Sequence, residues 1–93
     1  MAQNNIKCYG YDVEDAASDY QYIAIVWESL GALGECFASN NFRDLKSYVY
    51  NQIKQLYSDA RGHIYCSSDI YLDYPLYMYW NDCSKMYCKN ILK

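Results

Sequence analysis

The sequence is poor in several residue types that most folds use. It has no threonine, one proline, one histidine and two phenylalanines in 93 residues. Because threonine is common in strands, its absence argues against an all-β fold. A single histidine leaves one candidate for a general base. The longest apolar run, YIAIVW, is too short to span a bilayer, and the opening MAQNNIKC lacks the apolar core of a signal peptide. We therefore expect a cytoplasmic protein without a membrane segment.

Tyrosine is the residue in excess, with thirteen copies. Its hydroxyl group needs a partner when buried, so tyrosine favours half-buried positions and interfaces. A chain of this length predicts one domain, 1–93. The five cysteines are odd in number and no signal peptide precedes them, so we expect reduced thiols.

Apolar residues recur at helical spacing in three segments. Asp12 and Asn41 are candidate N-caps of the first two helices, and Pro75 suits the first position of the third. Gly62 is a candidate C-terminal cap of the second helix. In the third helix the spacing places Trp80 on the core side. The predicted helices span residues 12–37, 42–60 and 75–91.

This pattern predicts an all-α or mostly α fold, a small three-helix single domain. Residues 1–11 show weak alternation and are predicted to form an N-terminal extended segment. A short two-stranded extended pair between 5–11 and 63–67 is compatible with the same pattern.

Charge is distributed unevenly along the chain. Residues 1–40 contain six acids and one base, whereas residues 41–93 contain five acids and seven bases. Such asymmetry marks a partner surface or a match between elements of the fold. If the first two helices were antiparallel, the acidic start of the first would lie near Lys54 and Arg61, and the charges would largely cancel.

An acidic, tyrosine-rich surface is the leading candidate for binding a protein partner. Carboxylates can take the place of phosphates in a basic groove, and tyrosine is frequent among interface hot spots. The alternative is that these acidic residues have a structural role only and stabilise the N-terminal end of the first helix through its dipole. The predicted partner-binding residues are Asp12, Asp15, Asp19, Tyr22, Tyr71, Tyr74 and Tyr77.

A basic stripe on the second predicted helix is the alternative binding surface. Positive charge interleaved with tyrosine suits a phosphate backbone and stacked bases. The sequence pI of about 4.8 argues against direct nucleic-acid binding, and lysine and arginine stems commonly cover apolar surface. The alternative nucleic-acid-binding residues are Arg43, Lys46, Tyr50, Lys54 and Arg61.

No motif for catalysis or cofactor binding is present, so we expect no enzyme activity and no cofactor. Four side chains of zinc-ligand type are His63, Cys66, Cys83 and Cys88. On a continuous helix the last two would diverge by about 140°, because each residue turns the helix by about 100°. The expectation is therefore no metal, with a zinc-stabilised structural module as the minor alternative.

These features predict a small non-catalytic protein-binding factor, an inhibitor or accessory protein. Small acidic proteins of viral or mobile-element origin that block nucleic-acid-handling enzymes, such as CRISPR or restriction effectors, have this composition. The expected partner is another protein, including a nucleic-acid-binding complex, and self-association is left open. The main alternative is a nucleic-acid or nucleotide binder that uses the second helix.

Overall fold

The computed structural model is an antiparallel sheet with two helices, so the predicted all-α, three-helix fold is wrong. The structure describes residues 6–29, 31–56, 59–72, 75–82 and 85–90, with the backbone only for 70–72, 81–82 and 85–90. The elements are β1 (Lys7–Gly10), α1 (Val13–Asp19), β2 (Tyr22–Trp27), β3 (Glu35–Ser39), α2 (Phe42–Ile53), β4 (Arg61–Cys66), a 3₁₀ helix (Ser67–Leu72), β5 (Tyr77–Asp82) and β6 (Lys85–Asn90).

The predicted helix 12–37 is instead the short α1 followed by β2 and β3. The segment YIAIVW forms β2, an interior strand with α2 on one face and α1 over part of the other, which explains why it is apolar throughout. A continuous apolar run satisfies helical and strand spacing equally well, so periodicity could not separate them. Gly31 lies in the β2–β3 connection with φ of 87°, a left-handed conformation that glycine adopts without strain.

The predicted helix 75–91 is also wrong, because it is the hairpin of β5 and β6. Tyr77 and Tyr79 belong to the face of the sheet that α2 covers. Met78 and Trp80 alternate with them and therefore belong to the opposite face. Large apolar side chains on both faces of β5 produced the helix-like spacing.

The second predicted helix, 42–60, is present as α2 but ends at Ile53. Asn41 is its N-cap, as predicted, and accepts a hydrogen bond from the backbone N–H of Asp44 at 3.0 Å. Asp12 caps α1 in the same way, through the N–H of Asp15 at 3.1 Å. Among the described residues, no helix is long and apolar enough to cross a membrane.

The six strands follow the order β1-β3-β2-β4-β5-β6, and neighbouring strands are antiparallel. The proposed pairing of 5–11 with 63–67 is wrong, since β1 pairs with β3 and β4 pairs with β2 and β5. Two crossovers, β1–α1–β2 and β3–α2–β4, each pass over one strand and step in the same direction across the sheet. Their strands run in opposite directions, so two right-handed crossovers place the helices on opposite faces.

The larger core lies between the sheet and α2. Leu45, Val49 and Ile53 of α2 are fully buried at i, i+4 and i+8, so they form one stripe facing the sheet. Each such side chain contributes about 1.5–3 kcal/mol through burial. The strands complete this core with Ala24, Val26, Phe37, Ile64 and Tyr79.

A smaller core lies under α1 on the other face. Ala16 is the buried residue of α1, and it packs in a cluster with Ile23, Cys36, Ala38 and Tyr65. The helix contacts β1, β2, β3 and the 3₁₀ helix, whereas α2 contacts β2 to β5. Because α1 has only seven residues, it covers one half of its face of the sheet.

Candidate interaction surfaces

The acidic residues around α1 and the basic residues of α2 lie on opposite faces of the sheet. The predicted cancellation between neighbouring helices is therefore wrong, because the sheet lies between α1 and α2. Around α1 the charged residues are Asp12, Glu14, Asp15 and Asp19, and on α2 and just after it the basic residues are Arg43, Lys46 and Lys54.

The acidic helix surface, as we call it, combines Asp12, Asp15 and Asp19 with the neighbouring Tyr9 and Tyr11. The Tyr9 hydroxyl donates a hydrogen bond of 2.7 Å to Asp19 Oδ2, which ties β1 to the end of α1. Tyr11 is 67% exposed. The structure thus places the three predicted acids beside two tyrosines, which come from β1 and the residue after it and are not among the seven predicted partner-binding residues.

Hydrogen bonds to carboxylates at this surface shift the pKa values of two groups. The hydrogen bond to Asp19, with smaller contributions from burial and from nearby charges, raises the pKa of Tyr9 to about 12. Hydrogen bonding to Asp12, with smaller contributions from the charge of Asp12, from burial and from the charges of Asp19 and Glu14, raises the pKa of the Asp15 carboxyl above its ordinary value. Both shifts indicate carboxylates crowded on a helix of two turns.

Two of the predicted tyrosines, Tyr22 and Tyr77, do not join this surface. Tyr22 and Tyr77 are half-buried on the α2 face, where both pack against Phe42 with ring centroids 5.3 Å apart. Tyr71 is described by its backbone in the 3₁₀ helix, and Tyr74 lies outside the described residues. The predicted set of seven therefore does not form one patch.

An aromatic row runs along the α2 face beside the helix. Tyr77 stacks on Tyr79 with centroids 5.9 Å apart and an interplanar angle of 12°. Tyr79 meets Tyr50 edge-on at 6.1 Å. Lys46 lies above the row, with Nζ 4.3 Å from the centroid of Tyr77 and 3.1 Å from its hydroxyl. Lys46, Tyr50 and Tyr79 also line a concavity of about 300 Å³.

The predicted basic stripe is shorter than the sequence indicated. Lys54 Nζ lies 5.3 Å from the Tyr50 ring centroid, so lysine and tyrosine do alternate along α2. Arg61, however, begins β4 and pairs with Trp27, which places it on the α1 face. The stripe therefore ends at Lys54, because α2 does not continue to residue 60.

An uncovered patch on the α1 face was missed by sequence reasoning. Trp27, Arg61 and Trp80 are direct cross-strand neighbours on β2, β4 and β5, and His63 and Met78 form the next row. The Arg61 guanidinium carbon lies 4.8 Å from the Trp27 ring centroid, and the His63 ring lies edge-on to Trp27 at 4.9 Å. All five residues are half-buried. Gly34 of the β2–β3 connection lies against the Trp27 indole, and among the described elements no α-helix lies over the five residues. Finding this patch requires the strand register, which no local signal in the sequence supplies.

The proposed zinc ligands gain no support as a group. His63 and Cys66 are three positions apart on β4, so strand alternation directs them to opposite faces. Cys83 lies outside the described residues, and Cys88 is on β6 rather than on a helix, so the helical argument against the pair no longer applies. Within the described part of the chain, no group of three or more His, Cys, Asp or Glu side chains is placed to hold a metal.

Comparisons with protein families, characterised proteins and solved structures yield no match for this chain. A fold by itself does not define an activity. Function therefore has to be inferred from the three surfaces: the acidic helix surface, the α2 aromatic row and the uncovered patch.

Proposed function

We propose that this chain is a small non-catalytic protein-binding factor, an inhibitor or accessory protein that acts through the acidic helix surface. The observation that supports this proposal is the concentration of carboxylates on one face, beside exposed tyrosine and separated by the sheet from the basic residues of α2. The carboxylates clustered around α1 produce a local negative field, which accelerates encounter with a partner of opposite charge.

The chemistry of the surface indicates a basic groove on the partner. Three carboxylates on a short helix offer acceptor oxygens at intervals, as a phosphate backbone does, and arginine binds both groups through paired hydrogen bonds. Tyr11 adds an exposed ring that can be buried at low cost in side-chain entropy. A nucleic-acid-handling enzyme, such as a CRISPR or restriction effector blocked by a viral or mobile-element protein, is the class of partner that fits.

Two substitutions in the acidic helix surface are expected to affect binding kinetics differently. Asp15→Lys should slow association and change its salt dependence, because exposed charges steer encounter. Tyr11→Ala should speed dissociation, at a cost of about 2 kcal/mol or more if Tyr11 is a hot spot. The measurement is surface plasmon resonance against a partner that is captured from the native host and identified by mass spectrometry.

A matched control for Asp15→Lys is Asn51→Lys with Gln55→Lys, which changes the net charge by the same amount at exposed positions on α2 and just after it. This control should associate like the wild type. The proposal fails if both test variants bind normally while charge reversal at Arg43, Lys46 and Lys54 abolishes binding.

A second candidate function is nucleic-acid or nucleotide binding on the α2 face. The specific observation in its favour is Lys46 above the stacked rings of Tyr77 and Tyr79, with Lys54 against Tyr50 further along the helix. Cations beside aromatic rings suit single-stranded nucleic acid, because the cations can contact its phosphates and the rings can stack on its bases. The overall acidity weighs less against this function than the sequence indicated, because the acids near α1 lie across the sheet.

Heparin chromatography at low salt tests the second candidate. If α2 binds polyanions, the protein should be retained and Lys54→Glu should elute earlier. Elution of the wild type in the void volume would remove this candidate and leave the protein-binding proposal in place.

A further inference from the structure

One half of the α1 face of the sheet is covered by a helix and the other half is not. The half formed by β1, β3 and most of β2 carries α1 with the 3₁₀ helix beside it, and the half formed by β4, β5 and the end of β2 has no described α-helix over it. The uncovered half presents Trp27, Arg61 and Trp80 in one row across three strands. Tryptophan, arginine and methionine are residue types enriched in the centres of protein interfaces.

The uncovered half also carries a positive charge that its described surroundings do not fully satisfy. Arg61 Nε is buried, and among the described residues it has no hydrogen-bond partner. The guanidinium lies against the Trp27 ring, a contact that leaves hydrogen-bonding capacity unused. Because this N–H is enclosed, a carboxylate that docks on the surface can reach only the outer N–H groups of the half-buried guanidinium, and charge-assisted hydrogen bonds to those groups would stabilise the arrangement.

We propose that the chain forms a two-fold symmetric dimer in which α1 of each copy docks on the Trp27–Arg61–Trp80 row of the other. The half of the face that carries α1 in one copy packs on the half without an α-helix in the other copy. A rotation by 180° relates the two copies, so the two contacts are identical. The acidic residues of α1 then face Arg61 across the interface, twice per dimer. The outward side of α1 includes exposed Ser18, which is small enough for close approach to the rings.

Charge favours a second copy over a polyanion as the occupant of this patch. A nucleic acid on the row would lie beside Asp12, Asp15 and Asp19 on the same face, and these carboxylates would repel it. In a dimer, the α1 carboxylates of each copy lie against Arg61 of the other copy. One symmetric interface therefore explains why this face carries both acidic residues and Arg61.

Dimer formation would bury the acidic helix surface, so self-association and partner binding exclude each other. This regulatory consequence rests on the proposed function, whereas the dimer itself does not. A partner with a basic groove would have to displace the second copy, and the concentration of the chain would set how much free inhibitor is present.

Sedimentation equilibrium of the wild type and single variants tests the dimer. The wild type is expected to dimerise, and Asp15→Lys or Arg61→Glu should each raise the dimer Kd by about 100-fold or more, because each repulsive contact occurs twice. Ser18→Arg should weaken the dimer through steric bulk, without removing any of the acidic charges. The Asn51→Lys, Gln55→Lys control should dimerise like the wild type.

Mixing the two charge variants gives the sharpest result. In a heterodimer of Asp15→Lys with Arg61→Glu, one contact pairs lysine with glutamate and the other retains the wild-type pair, so dimers should reappear in the mixture. Recovery also demonstrates that both variants are folded. The proposal is overturned if the wild type stays monomeric at millimolar concentration, if dimers form regardless of these substitutions, or if mixing restores nothing. A monomeric wild type that still binds a partner through Asp15 would overturn the dimer and leave the proposed function standing.

Discussion

Tyr79→Ala is expected to destabilise the protein by about 3–5 kcal/mol, the usual cost of truncating a buried aromatic side chain. Tyr79 is 3% exposed and belongs to the core between the sheet and α2, where its ring meets Tyr50 and Tyr77. Domains of this size are stable by about 5–15 kcal/mol, so the loss would be a large part of the total. Urea unfolding followed by circular dichroism measures it.

Two neighbours on β5 provide the comparison. Trp80 and Tyr77 are half-buried, and their replacement by alanine should cost about half as much, in proportion to the area that each buries. Tyr79→Phe, which keeps the ring, should lose far less stability than Tyr79→Ala. A larger loss for Trp80→Ala than for Tyr79→Ala would mean that β5 turns Trp80, rather than Tyr79, toward α2.

Two of the three predicted helix starts are confirmed, because an N-cap is a local interaction; the start predicted at Pro75 is wrong. Asp12 and Asn41 each accept a hydrogen bond from a backbone N–H three residues later, and both caps are present. Where a helix ends was harder to predict, since Ala16 and Tyr20 fit helical spacing with the residues of β2. Tertiary pairing decided the outcome there, in favour of an interior strand.

The candidate surfaces show the same division between local and long-range information. The identities of the acidic residues on α1 and of the basic residues on α2 followed from their spacing. Their placement on opposite faces depends on two crossovers, which only the strand order reveals. The row of Trp27, Arg61 and Trp80 joins residues from three strands far apart in the chain, so no window of sequence contains it.

Gly62→Val is expected to destabilise the protein by about 3 kcal/mol, at the upper end of the cost of overpacking a core. Sequence spacing suggested a helix cap for Gly62, but it is a buried position of β4 beneath α2. A Cβ atom placed on it would lie 2.7 Å from Val49 Cγ1 and 2.8 Å from Ile53 Cδ1. Val49 is β-branched and held in a helix, so it has little freedom to move aside.

Two effects oppose each other at this position, and their magnitudes decide the sign. Replacing glycine in a strand normally stabilises by about 0.5–1 kcal/mol, because the unfolded chain loses conformational freedom. Overpacking against α2 costs more than that, so the net effect is destabilising. Val49→Ala in the same chain should relieve the clash, and the double variant should be more stable than the sum of the two single changes by about 1 kcal/mol or more. Thermal and urea unfolding of the four proteins complete the cycle. If Gly62→Val raised stability, or if the two substitutions were simply additive, α2 would not pack on β4 at Gly62.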